Sequence, residues 1–465
     1  MIYKIEKIPI FNAALNIVET IRKNGGDALF VGGFVRNLLL GKPCKDIDIA
    51  STLPPEKLLN IFPDALTVGA SFGVIIVKKD NFHFEIATLR EERLYMDGRH
   101  PQQVRYTTDF KTDSERRDFT VNAMFYDPET MQIIDFHNGI SDLQQGILRT
   151  VGNAETRFRE DYLRMLRAIR FAAKYDLQIE QKTWEAMCSN ASLAAMIAPE
   201  RIQQEMDLMF ELNSAHTAVE MLDRSGILKI IIPEIDALHG VEQPVQFHPE
   251  GDVFVHTMKM LRHMAYPSSD LAWSILLHDI GKKDCFFRDE KGIHFFGHEA
   301  RGAEMAEKIL ERLRFSNPRK ERISDAVRDH MRFVQLKNMK VSTLRKFLGR
   351  KDLALLAELN RLDSIASSFC IGEWLFLLEK LSDFQNTELL PPPAISGRDL
   401  IQMGIKPGPH FKKILDFVYE QQLSGKKTDF NDISDLIKKK FPCILKDVVL
   451  KNTNQNNKKT KRTEK

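Results

Sequence analysis

The segment PIFNAALNIVETIRK is apolar at intervals of three and four, which predicts an amphipathic helix over residues 10–24, ended by Gly25-Gly26. The run Ala28–Val31 reads as a strand, followed by a Gly32-Gly33 turn and a helix over Val35–Leu40. A second strand is predicted around Lys45–Ala50. Further strands are predicted at Gly73–Val77 and Phe82–Thr88, where β-branched and aromatic residues alternate with polar ones. From about residue 151 the pattern becomes helical almost to the end, with no short-period repeat. Breaks fall at Pro233–Pro249 and at Pro391-Pro392-Pro393. The expected fold class is therefore an α/β head followed by an all-α body.

Composition narrows this little but excludes a good deal. A chain of 465 residues with 43% apolar and 28% charged residues is neither fibrous nor largely disordered. No apolar run approaches the ~18 residues of a membrane span, and the first residues lack a secretory h-region. A cytoplasmic protein with no membrane partner is expected. Cys44, Cys188, Cys285, Cys370 and Cys443 are odd in number and form no C-x-x-C pair, so they read as reduced thiols. The net charge is +3, yet the last fifteen residues hold six Lys/Arg and one Glu, leaving the rest near −2. Residues 451–465 read as a disordered basic arm, either touching nucleic acid or merely solubilising.

Candidate chemistry begins at LFVGGFVRNLLLGKPCKDIDIAS. Glycines after a strand let backbone N–H groups approach an anion, and Arg36 on the following turn can reach a phosphate. Asp46 and Asp48 lie two apart in a strand, so both point one way while Ile47 and Ile49 face the core. Carboxylates aimed at one point repel unless a cation lies between them, and hard oxygen ligands suit Mg²⁺. In NFHFEIATL the same alternation puts Glu85 opposite Phe84 and Ile86. A neighbouring strand would thus bring a third carboxylate to the same ions, as two-metal phosphoryl transfer requires.

Further on, Arg116-Arg117-Asp118-Phe119-Thr120-Val121-Asn122 concentrates charge and an amide. In EDYLRMLRAIR, Asp161, Arg164, Arg167 and Arg170 recur every three residues of an expected helix. As plain i,i+3 salt bridges they would be worth only tenths of a kcal/mol. Alternatively, a carboxylate and a guanidinium side by side match the amine and ring nitrogen shared by cytosine and adenine. Guanine and uracil present a carbonyl there and are mismatched. An Asp161–Arg164 pair would then admit CTP and ATP without a template.

VGGFVRN–KDIDIA, LREERLYMDGRHPQQVRYTTDF, RRDFTVNA, NGISDLQQGILR, EDYLRMLRAIRF and PERIQQEM, in this order, resemble the class II tRNA nucleotidyltransferases, the CCA-adding enzymes related to poly(A) polymerases. The resemblance implies a polymerase-β-like head and a helical neck that selects the nucleotide. It implies that the Gly32-Gly33 turn, Arg36, Arg117, Asp118, Asn122, Asp161, Arg164, Arg167 and Arg170 bind nucleotide, and that Asp46, Asp48 and Glu85 hold Mg²⁺. Asn37 departs from the family's VRD pattern, and a local change of hydrogen bonding is expected there. Arg90–Tyr106 resembles the family's flexible loop.

The second half resembles the HD superfamily of metal-dependent phosphohydrolases in HPEGDVFVHTMKM, SILLHDIGKK, FFGHEARGAEMAE, RDHMRF and RLDSIASS. The resemblance implies His256, His278, Asp279 and Asp363 as metal ligands, with His298 and His330 as additional ones. Imidazole with carboxylate suits Mn²⁺, Fe²⁺, Ni²⁺ or Co²⁺ better than Mg²⁺. The expected organisation is a head (1–150), neck (151–232), HD domain (233–375), helical region (376–450) and tail (451–465). The expected function is addition of CCA to the tRNA 3′ end from CTP and ATP. An A-adding enzyme or poly(A) polymerase is the nearer alternative, and an HD phosphohydrolase with an RNA-binding head the more distant one.

Overall fold

The predicted first helix runs from Pro9 to Lys23 (α1), and its buried positions Ile10, Phe11, Ala13, Ala14, Ile17, Val18 and Ile21 form one stripe. That stripe closes over one face of a seven-stranded sheet, sharing a core with Phe30, Ile49, Phe84 and Ile86. The strands are β1 (Ala28–Val31), β2 (Asp48–Ser51), β3 (Leu66–Thr67), β4 (Val74–Lys79), β5 (Phe82–Thr88), β8 (Phe125–Asp127) and β9 (Gln132–Ile134). Their order is β3-β4-β5-β2-β1-β8-β9, with β2 and β5 parallel. A separate hairpin is made by β6 (Arg90–Tyr95) and β7 (Pro101–Tyr106), paired from Arg90–Tyr106 to Tyr95–Pro101. This hairpin occupies the stretch expected as a flexible loop.

The coordinates are those of a computed structural model, which describes residues 9–442 except 45, 68–72, 96–97, 99–100, 247, 250, 368–370, 386 and 426–428. Lys45, Cys370, Cys443 and the basic tail lie outside the described residues. Cys44, Cys188 and Cys285 are free thiols. Among the described residues, no helix is long and apolar enough to cross a membrane.

Seven helices follow α1 among the described residues of the head and neck: α2 (Gly33–Leu39), α3 (Pro55–Ile61), α4 (Phe110–Glu115), α5 (Gly139–Gln144), α6 (Ala154–Glu160), α7 (Leu163–Tyr175) and α8 (Gln181–Ser189). They are followed by α9 (Pro199–Phe210), which packs on α7. The expected continuous helix through EDYLRMLRAIR is broken. Asp161 is extended (φ −142°, ψ 107°) between α6 and α7. Its carboxylate accepts the Leu163 N–H at 3.1 Å, so the side chain supplies a local bond that competes with helix continuation.

The chain divides into two compact units, Met1–Ser324 and Asp325–Lys465. The first continues beyond the neck with helices Val253–Arg262, Ser269–Leu277 and His298–Arg312. The second is helical and has a core of its own around Leu400, Ile405, Ile414, Val418, Ile433 and Ile437.

Candidate active site and metal clusters

The carboxylates are set by strand register. Ile49 of β2 pairs with Ile86 of β5 in a parallel ladder, so Asp48 and Glu85, one residue earlier on each strand, lie side by side. Ile47, Ile49, Phe84 and Ile86 are buried, whereas Asp46, Asp48 and Glu85 are exposed on the opposite face. Asp48 keeps a surface open to the cleft, yet its carboxyl is pushed up to about 6. Burial contributes most, followed by the charges of Glu85 and, less, Asp46, against which Arg117 pulls. Mutually repelling, all-oxygen donors of this kind fit a hard divalent cation.

Beside them a cleft of about 450 Å³ is lined by Gly32, Gly33, Arg36, Asp48, Arg117, Asp118, Asn122, Asp161, Arg164, Arg167 and Arg170, which include every residue expected to bind nucleotide. Gly32 has φ +70°, a backbone conformation that L side chains rarely adopt. A Cβ placed there would stand 3.8 Å from Arg117 Nη1, and one on Gly33 would stand 3.5 Å from Arg36 Nη2. Two guanidiniums therefore flank the turn.

Bonds within and behind the motifs hold the cleft together. Thr120 donates to Asp142 at 2.7 Å, and Gly139 lies so close that a Cβ would meet the Thr120 carbonyl at 2.3 Å. Asp118 accepts from Arg167 Nη2 and Nε at 2.6 and 2.9 Å, and from Asn122 at 3.1 Å. Burial pushes the Asp118 carboxyl up, but Arg167 and these bonds outweigh it and hold it at about 2.

The expected Asp161–Arg164 side-chain pair is not what the structure shows. With Asp161 off the helix, its two oxygens receive Arg201 of α9 at 3.1 and 3.0 Å. Arg164 donates instead to Glu160 (2.7 Å) and to the carbonyls of Arg157 (3.0 Å) and Arg116 (2.9 Å). Arg170 pairs with buried Glu205, also of α9, at 2.6 Å. Arg201 and Glu205 are thus site residues that the motif reading passed over. The signal was available: they are four apart in PERIQQEM, on one face of a helix whose next turn is apolar.

In the first unit His256, His278 and Asp279 are buried, and one donor atom of each lies within 4.8 Å of the others. His298 Nε2 stands 3.5 Å from Asp279 Oδ1. His278 and His298 each place Nδ1 on a carbonyl three residues back, Ile275 at 2.7 Å and Phe295 at 2.8 Å. An Nδ1–H donated there leaves Nε2 with the lone pair a metal needs. This donor set fits a transition-metal ion. Lys282 Nζ lies 2.6 Å from Asp279 Oδ2. In the second unit His330 makes the same bond, from Nδ1 to the Val327 carbonyl at 2.6 Å, and Asp363 lies on helix Leu353–Ala366.

Three family models match the chain. Residues 28–149 match the Poly A polymerase head domain, 176–238 the Probable RNA and SrmB- binding site of polymerase A, and 252–366 the HD domain. The chain is 32% identical over 429 residues to the CCA-adding enzyme of Lactococcus lactis subsp. lactis (strain IL1403), spanning 90% of this chain and 94% of that protein. It is 46% identical over 197 residues to the CCA-adding enzyme of Streptococcus mutans serotype c, spanning 42% of this chain and 49% of that protein. The structure of the Bacillus stearothermophilus CCA-adding enzyme in complex with CTP matches with a TM-score of 0.71 at 25% identity, over 93% of this chain and 99% of that one. The Thermotoga maritima CCA-adding enzyme complexed with tRNA shares the fold, with a TM-score of 0.60 at 19% identity, over 93% and 95% of the two chains. Sheet, carboxylates and cleft define a nucleotidyltransferase with a polymerase-β-like head and an appended HD domain. The chain belongs to the family of CCA-adding enzymes.

Proposed function

We propose that this protein adds C, C and A to the 3′ end of tRNA from CTP and ATP, without a template. The observation that carries the reading is the parallel register that sets Asp48 beside Glu85 at the mouth of an arginine-lined cleft. Asp46, Asp48 and Glu85 would hold Mg²⁺, which when bound makes a hydroxyl more acidic and offsets charge on the phosphates. The Gly32-Gly33 turn, Arg36 and Arg117 receive the triphosphate as a multidentate anion. Asp161 offers carboxylate lone pairs to the exocyclic amine of cytosine or adenine, and Arg164 is the donor for the ring nitrogen. Arg201 holds Asp161 in place, and its two N–H contacts together with that of Leu163 leave the carboxylate oxygens further accepting capacity. A carbonyl in place of the amine would face Asp161 with the wrong polarity, and each such mismatch costs about 1–3 kcal/mol in a desolvated site.

The acceptor end enters through a second cavity of about 730 Å³. It shares Gly33, Arg36, Asp48 and Lys174 with the cleft and is lined also by Asp46 and Lys42. The HD portion acts as a metal-dependent phosphohydrolase on phosphoester RNA ends, using His256, His278, Asp279 and His298 of the first unit. His330 and Asp363 belong to the same sequence pattern, and Mn²⁺, Co²⁺ or Ni²⁺ is the expected ion.

The test is incorporation of labelled CTP and ATP into tRNA ending at the discriminator base and into tRNA ending in CC. Growth of both substrates to CCA is expected, with Asp48→Asn abolishing it. Addition of A to tRNA-CC with no C added to the shorter tRNA would reassign the protein as an A-adding enzyme. Incorporation surviving Asp48→Asn would remove the carboxylate assignment.

A further inference from the structure

The guanidinium groups around the cleft fall into two kinds. Arg116 and Arg117 pair with Asp113, Arg164 with Glu160, Arg167 with Asp118, Arg170 with Glu205, and Arg201 with Asp161. Arg36 is different. It is 5% exposed and lines both cavities. Among the described residues its hydrogen-bond partners are the neutral oxygens of Asn122, Asn37 and Tyr175.

Tyr175 makes the most extensive of these contacts. Arg36 Nη2 donates to the Tyr175 hydroxyl at 2.6 Å, and the Arg36 guanidinium carbon stands 4.2 Å from the Tyr175 ring centroid. The hydroxyl in turn donates to Asn37 Oδ1 at 3.2 Å, which also accepts from Arg36 at 3.2 Å. The three side chains close a ring of hydrogen bonds at the position where the chain departs from VRD. Tyr175 ends α7, the helix that carries Arg164, Arg167 and Arg170. Its ring stacks on Phe171 of the same helix at 6.2 Å and 22°. The aromatic face and the hydroxyl therefore fix Arg36 from the neck side, while Gly33 leaves open the side where a phosphate would lie.

We infer that Tyr175, oriented by Asn37, is a positioning residue that holds Arg36 without a direct carboxylate partner, so that its charge remains available to the nucleotide's β- and γ-phosphates, which CMP lacks. This rests on the proposed nucleotide-adding function and adds a determinant of triphosphate affinity that is blind to the base. A cation held by neutral groups keeps its full attraction for an incoming anion, whereas one already paired with a carboxylate does not.

The experiment is steady-state incorporation into tRNA by the full chain, comparing wild type, Tyr175→Phe, Asn37→Ala and the double variant. Inhibition by inorganic pyrophosphate and by CMP is measured alongside. Tyr175→Phe keeps the ring and removes one charge-assisted bond, so KM should rise about tenfold for CTP and ATP alike, with kcat changed less than about threefold. Pyrophosphate inhibition should weaken by the same factor while CMP inhibition stays put. Because both side chains serve one guanidinium, the double variant should resemble Tyr175→Phe rather than the product of the singles. Wild-type KM in both single variants, a loss confined to one nucleotide, or equal weakening of CMP and pyrophosphate would each overturn the inference. If Tyr175→Phe fails to fold, Asn37→Ala decides the matter by the same readings. Absence of incorporation by wild type overturns the proposed function itself, whereas an active wild type with unaffected variants overturns only the role of Tyr175.

Discussion

At the scale of single residues, the cleft is a set of charges whose protonation is held by neighbours, and Asp118 is the clearest case. An unfolded aspartate titrates near 4, while Arg167 and Asn122 hold Asp118 at about 2 in the folded protein. A depressed folded-state value means the group stabilises the fold fully above about pH 4, and this contribution is lost as pH falls from about 4 towards 2. The difference corresponds to about 2 kcal/mol. Asp118→Asn should flatten that acid limb and lower stability at pH 7, measured as the urea midpoint between pH 2.5 and 7. An unchanged acid limb would show that Asp118 is not the group responsible.

Residue identities in this cleft were legible in the sequence because ligand chemistry demands particular side chains at tight spacing. Alternation put Asp48 and Glu85 each on the polar face of its own strand, and the parallel pairing of β2 with β5 sets them side by side. The partners were less legible. Which carboxylate takes which guanidinium depends on where α9 crosses, and no spacing within EDYLRMLRAIR contains that. Asp161 was misplaced for a related reason: apolar periodicity continues smoothly through residues 158–169 and does not register a single residue whose side chain bonds the backbone N–H two residues on.

At the scale of elements, glycines decide how closely segments approach. Gly281 follows the His278-Asp279 pair, and a Cβ there would meet the His298 carbonyl at 2.3 Å and the Gly302 nitrogen at 2.6 Å. Both are backbone atoms of the segment opening helix His298–Arg312, so relief requires the helix to move. His298 would move with it, away from Asp279. Gly281→Ala should therefore weaken Mn²⁺ or Co²⁺ binding at least tenfold and destabilise the protein by about 1–3 kcal/mol, the usual cost of overpacking. Calorimetric titration with Mn²⁺ checks the first and denaturation the second. Wild-type metal affinity would show that His298 is not a ligand. The strand and helix positions themselves were read well where the pattern was local, as at Pro9–Lys23 and Phe82–Thr88. Nothing local marked β2 as beginning at Asp48 rather than Lys45, because ladder partners, not alternation, set a strand's ends.

At the scale of the whole chain, the question is whether two chemistries share more than a backbone. Helix α9 sends Arg201 and Glu205 to the nucleotide cleft and Asp207 the other way. Asp207 accepts from Trp273 Nε1 at 2.8 Å, from Arg319 Nη1 at 2.7 Å and from the Ser269 hydroxyl. Ser269 and Trp273 lie on the helix that ends at Leu277, immediately before His278-Asp279. One carboxylate thus ties α9 to the helix that leads into the His278-Asp279 cluster within the first unit. Its removal leaves a buried indole N–H and a partly buried guanidinium short of an acceptor, a loss of about 1–3 kcal/mol for Asp207→Ala. The bond is scaffolding rather than chemistry, so stability should fall while the two activities remain separable. Asp48→Asn should abolish nucleotide incorporation and spare metal-dependent phosphatase activity, and His278→Ala should do the reverse. Assaying both activities in all three variants distinguishes the cases. Loss of both activities in Asp48→Asn or in His278→Ala, with an unchanged melting profile, would mean that the sites work as one.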